Sequence, residues 1–410
     1  MSHAFEPQAR CPLDDVRVLD LSRLVAGNIM THVLADLGAE VIKIEKFSGD
    51  DLRNWTTKGV PVWWQVYARN KKSLCLDLRA EAGRAVLLRL VEGAHMLVEN
   101  FRPGTLERMG LAPDVLLARN PQLIVVRISG WGQSGSWRHK PGFGTLVEAF
   151  SGFAAMNGYA DRPPVVPPFA MADAFAGLYG ALAALTALRA VEVGKAKGQV
   201  IDLSLIEPLL AMLGPKAAEY RLTGETTARM GSRCNIQALR DVYATSDGKH
   251  VALSTGTQAM AERLLRAIGR ADLVDDPRFR TNADRLAHRE EIEAIVKEFI
   301  AARSQAEALA FFEAAEVTVG PVCDEADLAE HSYVREREVL IDLPDRLMAS
   351  MPMHNIVPRL SGTPGAVRTP APALGQHNAE LLQGLGYTDA EIDALRQGGV
   401  LGGRKDESGS

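Results

Sequence analysis

One aspartate, Asp173, lies where a proline-containing segment, PPFAMA, meets a run of small and apolar residues, DAFAGLYGALAAL. An aspartate just before a helix is a common N-cap, because its carboxylate accepts backbone N–H bonds and favours the helix dipole. The same placement exposes a carboxylate that can attack a carbonyl group, and small neighbours at Ala172, Ala174, Ala176 and Gly177 leave room for a thioester. The residues alone favour Asp173 as a helix N-cap and leave open whether it is a nucleophile.

A second pattern, Gly130, Gly132 and Gly135, follows a strand-like run and matches the G-x-G-x-x-G of dinucleotide-binding turns. That turn needs a helix that begins inside the motif and places its N-terminus under the pyrophosphate. Here the segment SWRHKPGFG follows instead, with Pro141 and further glycines, and Trp131 would crowd a close pyrophosphate. We therefore predict a functional loop and no nicotinamide or flavin site.

Basic residues on loops after several predicted strands form a third group. They are Lys46, Arg79, Arg102, Arg108, Arg138 and Lys140. Singly, such residues are most often solvated surface charges. The carboxyl ends of parallel strands form the usual ligand crevice, so together these cations can neutralise the phosphates of a large anion. The sequence therefore indicates a phosphorylated ligand.

Strand-like and helical runs alternate from Val16 to Ser129, which predicts an α/β fold with a largely parallel, doubly wound sheet. We predict a large α/β domain over residues 1–224 and a smaller α/β domain over 225–335. Residues 336–410 contain a proline-rich connector and a last helix with Thr388 as its N-cap, and we expect them to return to the large domain.

Composition excludes several classes of protein. The 410 residues include 46 basic and 51 acidic side chains, a net charge of −5, and no long basic run, so nucleic acid is not an expected partner. The four cysteines include no CxxC pair, which argues against a disulfide scaffold or a zinc site. The most apolar run, Ala174 to Val193, is interrupted by glycine, tyrosine and arginine. We predict a cytoplasmic protein that does not span a membrane.

Nine segments along the chain, each weak alone, are jointly specific. In order they are VLDLSRLVAG, LADLGAEVIKIE, ARNKKSLCLDL, VENFRPGTLERMGL, ISGWGQSG, PGFG, ADAFAGLYGALAAL, VGPVCDEADL and LGQHNAELLQGLGY. Together they resemble the class III CoA-transferases, which include formyl-CoA:oxalate, carnitine and succinyl-CoA:dicarboxylate transferases and related racemases. The match runs from about Leu13 to Leu401, and the succinyl-CoA:glutarate type is the most similar.

The resemblance implies a function and a set of site residues. The family's catalytic aspartate falls on Asp173, which reverses the preference for a helix cap. It implies ping-pong transfer of CoA between carboxylic acids through a covalent intermediate on this carboxylate, with coenzyme A or acyl-CoA as substrate and no resident cofactor or metal. The implied CoA contacts are Val25, Ala26, Lys46, Leu76, Arg79, Asn100, Phe101, Arg102, Arg108 and Lys140.

The resemblance also implies an architecture, a Rossmann-like doubly wound large domain built from both chain ends plus a smaller α/β domain, in an interlocked homodimer. Backbone amides near Ala26 and Gly27, or in the loop Gly130 to Gly135, are candidate oxyanion donors, and this loop is a candidate lid.

Departures from the family pattern limit the alternatives. Related racemases have a histidine base where this chain has Phe143, and formyl-CoA:oxalate enzymes have a glutamate where it has Gly144. An acyl-CoA racemase and a non-catalytic CoA-binding protein remain alternatives.

We expect a dicarboxylate acceptor of about three to six carbons. Its distal carboxylate needs a cation, for which Arg138, His139 and Lys140 are the nearest candidates, although a solvated basic turn explains these three equally well.

Overall fold

The computed structural model describes residues 3–403, which form two compact units. Unit 1 comprises residues 3–151, 167–214 and 337–403, and unit 2 comprises residues 152–166 and 215–336. The early and late parts of the chain therefore share one unit. The predicted domain boundaries at residues 224 and 335 remain a prediction about which parts of the chain fold separately.

The strands in chain order are β1 Arg17–Asp20, β2 Glu40–Glu45, β3 Lys71–Cys75, β4 Met96–Glu99, β5 Ile124–Ser129, β6 Gln199–Ser204, β7 Arg240–Ala244, β8 His250–Ser254, β9 Val319–Pro321, β10 Leu340–Asp345 and β11 Ala349–His354. The helices are α1 Val25–Asp36, α2 Val62–Tyr67, α3 Glu81–Glu92, α4 Thr105–Arg108, α5 Pro113–Arg119, α6 Gly144–Phe150, α7 Phe153–Met156, α8 Met171–Glu192, α9 Ile206–Met212, α10 Lys216–Thr223, α11 Gln258–Ala267, α12 Asn282–Ala287, α13 Arg289–Ala301, α14 Gln305–Ala314, α15 Glu325–Glu330, α16 Ser332–Glu336, α17 Asn378–Gly384 and α18 Asp389–Gln397. Two short 3₁₀ helices, Asp51–Asn54 and Ala271–Leu273, complete the regular structure.

The central sheet of unit 1 is parallel, with strand order β3-β2-β1-β4-β5-β6. This is the order of doubly wound nucleotide-binding sheets, which bind ligands where the strand order reverses. The reversal lies between β1 and β4, where Val18 pairs with Val41 on one side and with Met96 on the other. The predicted α/β fold with a parallel sheet is confirmed, and the segments after β1 and β4 are the expected ligand site.

The two faces of this sheet are covered differently. One face presents Leu19, Ile42 and Leu97 to the buried side chains of α3, α5, α17 and α18, and it forms the main apolar core. Alternate residues point to opposite faces of a strand, so Asp20 and Lys43 face the other way, and both are fully buried. The charged groups of the sheet are therefore on the face away from this apolar core.

Helix α8 is long and apolar enough, by length and composition, to cross a membrane. It packs instead along α1 within unit 1, through small residues that allow a close approach. A Cβ atom on Gly177 would lie 2.9 Å from the carbonyl oxygen of Ala26, and one on Gly180 would lie 2.9 Å from Sδ of Met30. We therefore interpret α8 as a core helix of the α/β unit.

The edge strand β3 is covered by the segment that follows residue 370. Asn378 accepts a hydrogen bond from the backbone N–H of Cys75 (2.9 Å) and donates one to the carbonyl oxygen of Gly402 (2.7 Å). Leu76 forms a β-bridge with Leu401. Covering an edge strand in this way satisfies backbone groups that would otherwise be open to pairing with another chain.

Unit 2 contains the antiparallel sheet β7-β8-β9, packed under α11, α13 and α14 through residues such as Leu264, Val296 and Phe312. The segment 206–222 forms two helices, because Gly214 adopts a positive φ of 72° and Pro215 follows it. The antiparallel hairpin β10–β11 in unit 1 was not expected.

Candidate active site

The turn between β1 and α1 is held by buried charges on the polar face of the sheet. The ammonium group of Lys43 lies 3.2 Å from Asp20 and 3.0 Å from Asp50. Asp50 accepts a hydrogen bond from the backbone N–H of Leu24 at 3.1 Å. Burial alone would raise the pKa of Asp50, but Lys43 and the surrounding donors lower it to about 2. Leu24, with φ 61° and ψ −139°, is thus kept in a conformation that leucine rarely adopts.

Asn28 belongs to the same network. Its amide nitrogen donates to Asp50 at 2.8 Å, its side-chain oxygen accepts from Lys71 at 3.0 Å, and the residue is fully buried. Burial lowers the pKa of Lys71 to about 8, although Asp20 opposes this shift. Asn28 therefore helps to fix the start of α1.

Asp173 lies in the first turn of α8, three residues after the N-cap Ala170. It is therefore not the N-cap, and the helix-cap interpretation of this residue is wrong. Its carboxylate accepts a hydrogen bond from the backbone N–H of Ala26 at the start of α1. Burial, together with the negative charge of Glu148, raises the pKa of Asp173 to about 6. The turn after β1 thus touches the carboxylate directly.

The small residues around Asp173 have a different role from the one expected. Ala172 and Ala176 are fully buried, and Gly177 packs against Ala26 and Ile29 of α1. They let two helices approach closely and do not line the cavity beside the carboxylate. Space beside Asp173 comes instead from Gly144, where a Cβ atom would lie 2.2 Å from Oδ2 of Asp173.

A cavity of about 300 Å³, the Asp173 cavity, opens beside this carboxylate in unit 1. Four basic side chains line it, namely Arg23, Arg102, Arg138 and Lys140. Within residues 3–403 none of them lies within ion-pair distance of a carboxylate. The other side chains include Asp51, Phe101, Phe143 and Leu205. The arrangement places unpaired positive charge around one weakly acidic carboxyl group.

A second cavity of about 570 Å³, the Lys46 cavity, shares Arg23 and Phe101 with the first. Two of its basic residues are already paired, since Lys46 lies 3.3 Å from Asp51 and Arg79 lies 2.9 Å from Asp77. The side chain of Arg79 is 86% exposed. The two cavities together form a continuous crevice at the carboxyl ends of β1, β2, β3 and β4.

The turns after β1 and β4 are joined by side chains at the strand-order reversal. Asn100 accepts a hydrogen bond from the backbone N–H of Arg23 (2.8 Å) and donates one to its carbonyl oxygen (2.6 Å). The backbone N–H of Phe101 donates to the buried carboxylate of Glu99 at 2.7 Å. Asn100 is therefore a structural link at this position as well as a lining residue.

The glycine-rich loop after β5 is irregular, and the next helix, α6, begins at Gly144, well after the G-x-G-x-x-G residues Gly130, Gly132 and Gly135. Gly130 lies against Gly142, where a Cβ atom would come within 2.6 Å of the opposite α-carbon. The indole N–H of Trp131 donates to the carbonyl oxygen of Pro141 at 3.0 Å. The backbone N–H of Gln133 is bound to Asp202, which leaves this amide unable to serve as an oxyanion donor in this conformation.

Most of the residues named from the sequence lie in this crevice. Ala26, Asn100, Phe101, Arg102, Lys140 and Asp173 line the Asp173 cavity, and Lys46, Leu76, Arg79 and Phe101 line the Lys46 cavity. Two do not: Val25 is buried among apolar residues, and Arg108 is bound to Thr105 at the edge of the Lys46 cavity. Of the basic turn, Arg138 and Lys140 reach the Asp173 cavity, whereas His139 does not line it.

Sequence reasoning missed Arg23, Glu148 and the Lys43 network. Arg23 follows β1 as the other basic residues follow their strands, so the same argument could have found it. No comparable pattern in the sequence points to Glu148.

His32, Asp36 and His354 form a cluster whose ligand atoms lie within 4.8 Å of one another. Asp36 is already paired with the guanidinium of Arg69, whose Nη2 lies 2.6 Å from it. The nearby cation disfavours a metal ion here. We assign the cluster a structural role between α1 and the hairpin.

Comparison with known proteins agrees with this geometry. A family model described as CoA-transferase family III matches residues 13–378. The chain is 38% identical over 395 residues to succinyl-CoA–D-citramalate CoA-transferase of Chloroflexus aurantiacus, covering 95% of this chain and 98% of that protein. It is 31% identical over 387 residues to succinate–glutarate CoA-transferase of Agrobacterium fabrum, covering 92% and 96%. The crystal structure of a CAIB/BAIF family protein from Brucella suis matches with a TM-score of 0.80 and 31% identity, covering 92% of this chain and all of that one.

A doubly wound sheet with a cation-lined crevice at the carboxyl ends of its strands is typical of proteins that bind large anionic ligands. The chain belongs to CoA-transferase family III. It is a class III CoA-transferase, and the resemblance seen in the sequence is confirmed. Family membership implies acyl-CoA and a carboxylic acid as substrates.

Proposed function

We propose that this enzyme transfers CoA from succinyl-CoA to a dicarboxylate by ping-pong catalysis on Asp173. The observation that supports this most is the position of Asp173, whose buried carboxyl group faces a cavity lined by four cations without carboxylate partners. A protein that only bound CoA would have no use for a buried carboxyl group whose ionised form burial destabilises.

The covalent steps conserve atoms and charge. A carboxylate oxygen of Asp173 attacks the thioester carbonyl of succinyl-CoA and expels CoA thiolate, which leaves a mixed anhydride. The thiolate then attacks the aspartyl carbonyl and expels succinate, which leaves a CoA thioester on Asp173. The acceptor carboxylate attacks this thioester, and the released thiolate attacks the acceptor's carbonyl, so Asp173 regains its carboxylate.

The backbone N–H of Ala26 fits a second role in these steps. In the free enzyme it donates to the Asp173 carboxylate. After acylation, the oxygen that accepts this bond is the carbonyl oxygen of the anhydride or thioester, and it becomes negative when a nucleophile attacks the aspartyl carbon. A donor already fixed at that position stabilises this oxyanion without reorganisation, and the Lys43 network keeps the donor in place.

Recognition of a dicarboxylate also fits the charges of the cavity. One carboxylate of the acceptor reacts at Asp173, and the other needs a cation within reach. Arg138 and Lys140 line the same cavity and are free to bind it. The curated relatives named above act on citramalate and on glutarate, both dicarboxylates. We therefore propose a dicarboxylate acceptor of about three to six carbons.

We propose that CoA lies along the crevice, with its nucleotide in the Lys46 cavity and its thioester in the Asp173 cavity. Leu76 and Phe101 would contact the apolar parts of CoA, and Lys46, Arg79 and Arg102 its phosphates. We retain Val25 as a backbone contact, because its side chain is buried, and Arg108 as a contact at the rim.

We propose a homodimer in the cytoplasm. Large apolar side chains on α6, α8 and α9 are exposed in the single chain, including Phe150 at 57%, Leu182 at 63% and Met212 at 51%. Apolar surface of this extent is typical of protein interfaces. The four free cysteines fit a reducing compartment. Light scattering of the purified protein should give twice the mass of one chain.

A panel of acceptor acids with succinyl-CoA as donor tests the function. We expect dicarboxylates of about three to six carbons to give the highest kcat/KM. If acetate or carnitine outcompetes every dicarboxylate, the proposed substrate class is wrong. The racemase alternative would show exchange of an α-proton without an acceptor acid, and we disfavour it because Phe143 and Gly144 cannot supply a base.

A further inference from the structure

Glu148 is a buried acid that the proposed reaction steps do not use. It lies on α6, is 2% exposed, and does not line the Asp173 cavity. Its Oε1 atom accepts a hydrogen bond from the backbone N–H of Ala172 at 3.0 Å, directly before Asp173 in the first turn of α8. Glu148 therefore binds the backbone from which the nucleophile projects.

The side chains of Glu148 and Asp173 also approach the same glycine. A Cβ atom on Gly144 would lie 2.2 Å from Oδ2 of Asp173 and 3.7 Å from Oε1 of Glu148. Two carboxyl groups thus share a small, mostly buried space. No basic side chain among the described residues lies within ion-pair distance of Asp173.

We propose that Glu148 is a positioning residue that fixes the first turn of α8 and, by its negative charge, favours the acylated form of Asp173 over the free carboxylate. The inference rests on the function proposed above. In the free enzyme two negative charges are close together in a site shielded from water. Acylation removes the charge of Asp173, because the negative charge leaves with the thiolate or the displaced acid, so the repulsion is relieved in each covalent intermediate.

The electrostatics of the site agree with this role. The pKa of Asp173 is raised to about 6, first by burial and then by Glu148. A more basic carboxylate is a stronger nucleophile, provided that it is still ionised at the working pH. Glu148 thus raises nucleophilicity without contacting the substrate.

Other charged groups face Asp173 from the surrounding elements. Those that line its cavity are Arg23 after β1, Asp51 in the first 3₁₀ helix, Arg102 after β4, and Arg138 and Lys140 in the loop after β5. Asp202 on β6 and Glu207 on α9 do not line it. The carboxylate of Asp202 accepts from Gln133, and that of Glu207 accepts from Ser204. Burial and the charge of Glu148 are the causes that raise the pKa of Asp173.

Glu148→Gln separates charge from packing, because glutamine has the same shape and its side-chain oxygen can still accept the Ala172 N–H. We expect the acid limb of the pH profile of kcat/KM to move down by on the order of 1 pH unit. Glu148→Asp retains the charge, and we expect its acid limb to stay near that of the wild type. Glu192→Gln is the matched control, because Glu192 is exposed at the far end of α8.

A direct titration of the Asp173 carboxyl carbon by ¹³C NMR, assigned with Asp173→Asn, gives the same comparison without requiring turnover. If the wild-type enzyme shows no CoA transfer but the pKa of Asp173 still falls in Glu148→Gln, the proposed function is wrong. The electrostatic coupling between Glu148 and Asp173 then still holds. An unchanged Asp173 pKa in folded Glu148→Gln overturns the role of Glu148. If that variant does not fold, a wild-type Asp173 that titrates near the ordinary aspartate pKa of 3.8 overturns the role of Glu148 instead.

Discussion

The Asp173 cavity and the Lys46 cavity are neighbours with opposite electrostatic designs. In the Lys46 cavity the cations Lys46 and Arg79 each have a carboxylate partner and lie in contact with water. In the Asp173 cavity the cations have no such partner, and the Asp173 carboxyl group beside them is partly buried. Paired, solvated charges can exchange partners with phosphates at little cost, whereas a buried carboxyl group without an ion-pair partner is unstable.

The difference separates two tasks. In the proposed function the Lys46 cavity holds a charged ligand, with similar contacts in the ground state and the transition state. The Asp173 cavity keeps a strained turn, a fixed amide donor and a destabilised carboxyl group close together, an arrangement that suits the proposed reaction at Asp173. Variants that remove a phosphate-binding cation should change KM, and variants at or against the Asp173 carboxylate should change kcat.

The largest effect is expected for Asp173→Ala. Removal of the covalent nucleophile should lower kcat by at least on the order of 10³-fold, because no other group can form the acyl intermediate. CoA binding, measured by calorimetry, should be retained, since the Lys46 cavity is unchanged. Turnover within tenfold of the wild type would contradict covalent catalysis on Asp173.

Gly144→Ala should give the next largest effect. The new methyl group would lie 2.2 Å from Oδ2 of Asp173, so the carboxylate must turn away from its place. Misplacement of a reacting group by about 1 Å lowers kcat by about 100-fold. Thermal melting should be little changed, because the displaced atom ends a flexible side chain. Gly384→Ala, where a methyl group meets nothing within 4 Å, is the control, and equal kcat in the two variants would contradict the geometry.

A smaller effect, on KM, separates Arg102 from Arg108. Arg102 lines the Asp173 cavity without a carboxylate partner, whereas Arg108 is bound to Thr105 and lines neither cavity. Loss of one charge-assisted hydrogen bond to a phosphate should raise the KM for acyl-CoA by about tenfold in Arg102→Gln. Arg108→Gln should raise it less, with kcat nearly unchanged in both. An unchanged KM for Arg102→Gln would remove this residue from the CoA site.

The smallest effect is a gain of stability in Asp173→Asn. The folded pKa of Asp173, about 6, lies above the ordinary aspartate pKa of 3.8, so the folded state binds more protons between these values. The free energy of unfolding therefore falls as the pH rises through this window. Asparagine cannot ionise, so the variant should be more stable at pH 8 by on the order of 1–2 kcal/mol and equal to the wild type near pH 4. Melting at both pH values tests this. Asp161→Asn, at an exposed position, should melt as the wild type does.

The sheet could be predicted because its strands are continuous apolar runs that alternate with helices. Asp173 could be found only through the family resemblance, since its local sequence also fitted an N-cap. The structure shows why that alternative failed: the helix begins earlier, at Met171, and Glu148 binds the Ala172 N–H of its first turn.

What could not be predicted are contacts between residues far apart in the chain. Lys43 looks like any lysine on a strand, yet it is fully buried between Asp20 and Asp50. Glu148 lies 24 residues before Ala172, whose backbone N–H donates to it, and the short helix α7 is the regular structure between α6 and α8. No local pattern marks such residues, because their role depends on which elements the fold brings together.

Mass spectrometry of the intact enzyme after incubation with succinyl-CoA tests the central claim most directly. Covalent catalysis on Asp173 predicts a mass increase equal to covalently bound CoA, mapped to the peptide that contains Asp173. We expect no such increase in Asp173→Ala. Addition of a dicarboxylate acceptor should remove the adduct and release the new acyl-CoA. Rapid CoA transfer in the wild type with no adduct on Asp173, or with the adduct on another residue, would rule out covalent catalysis on Asp173.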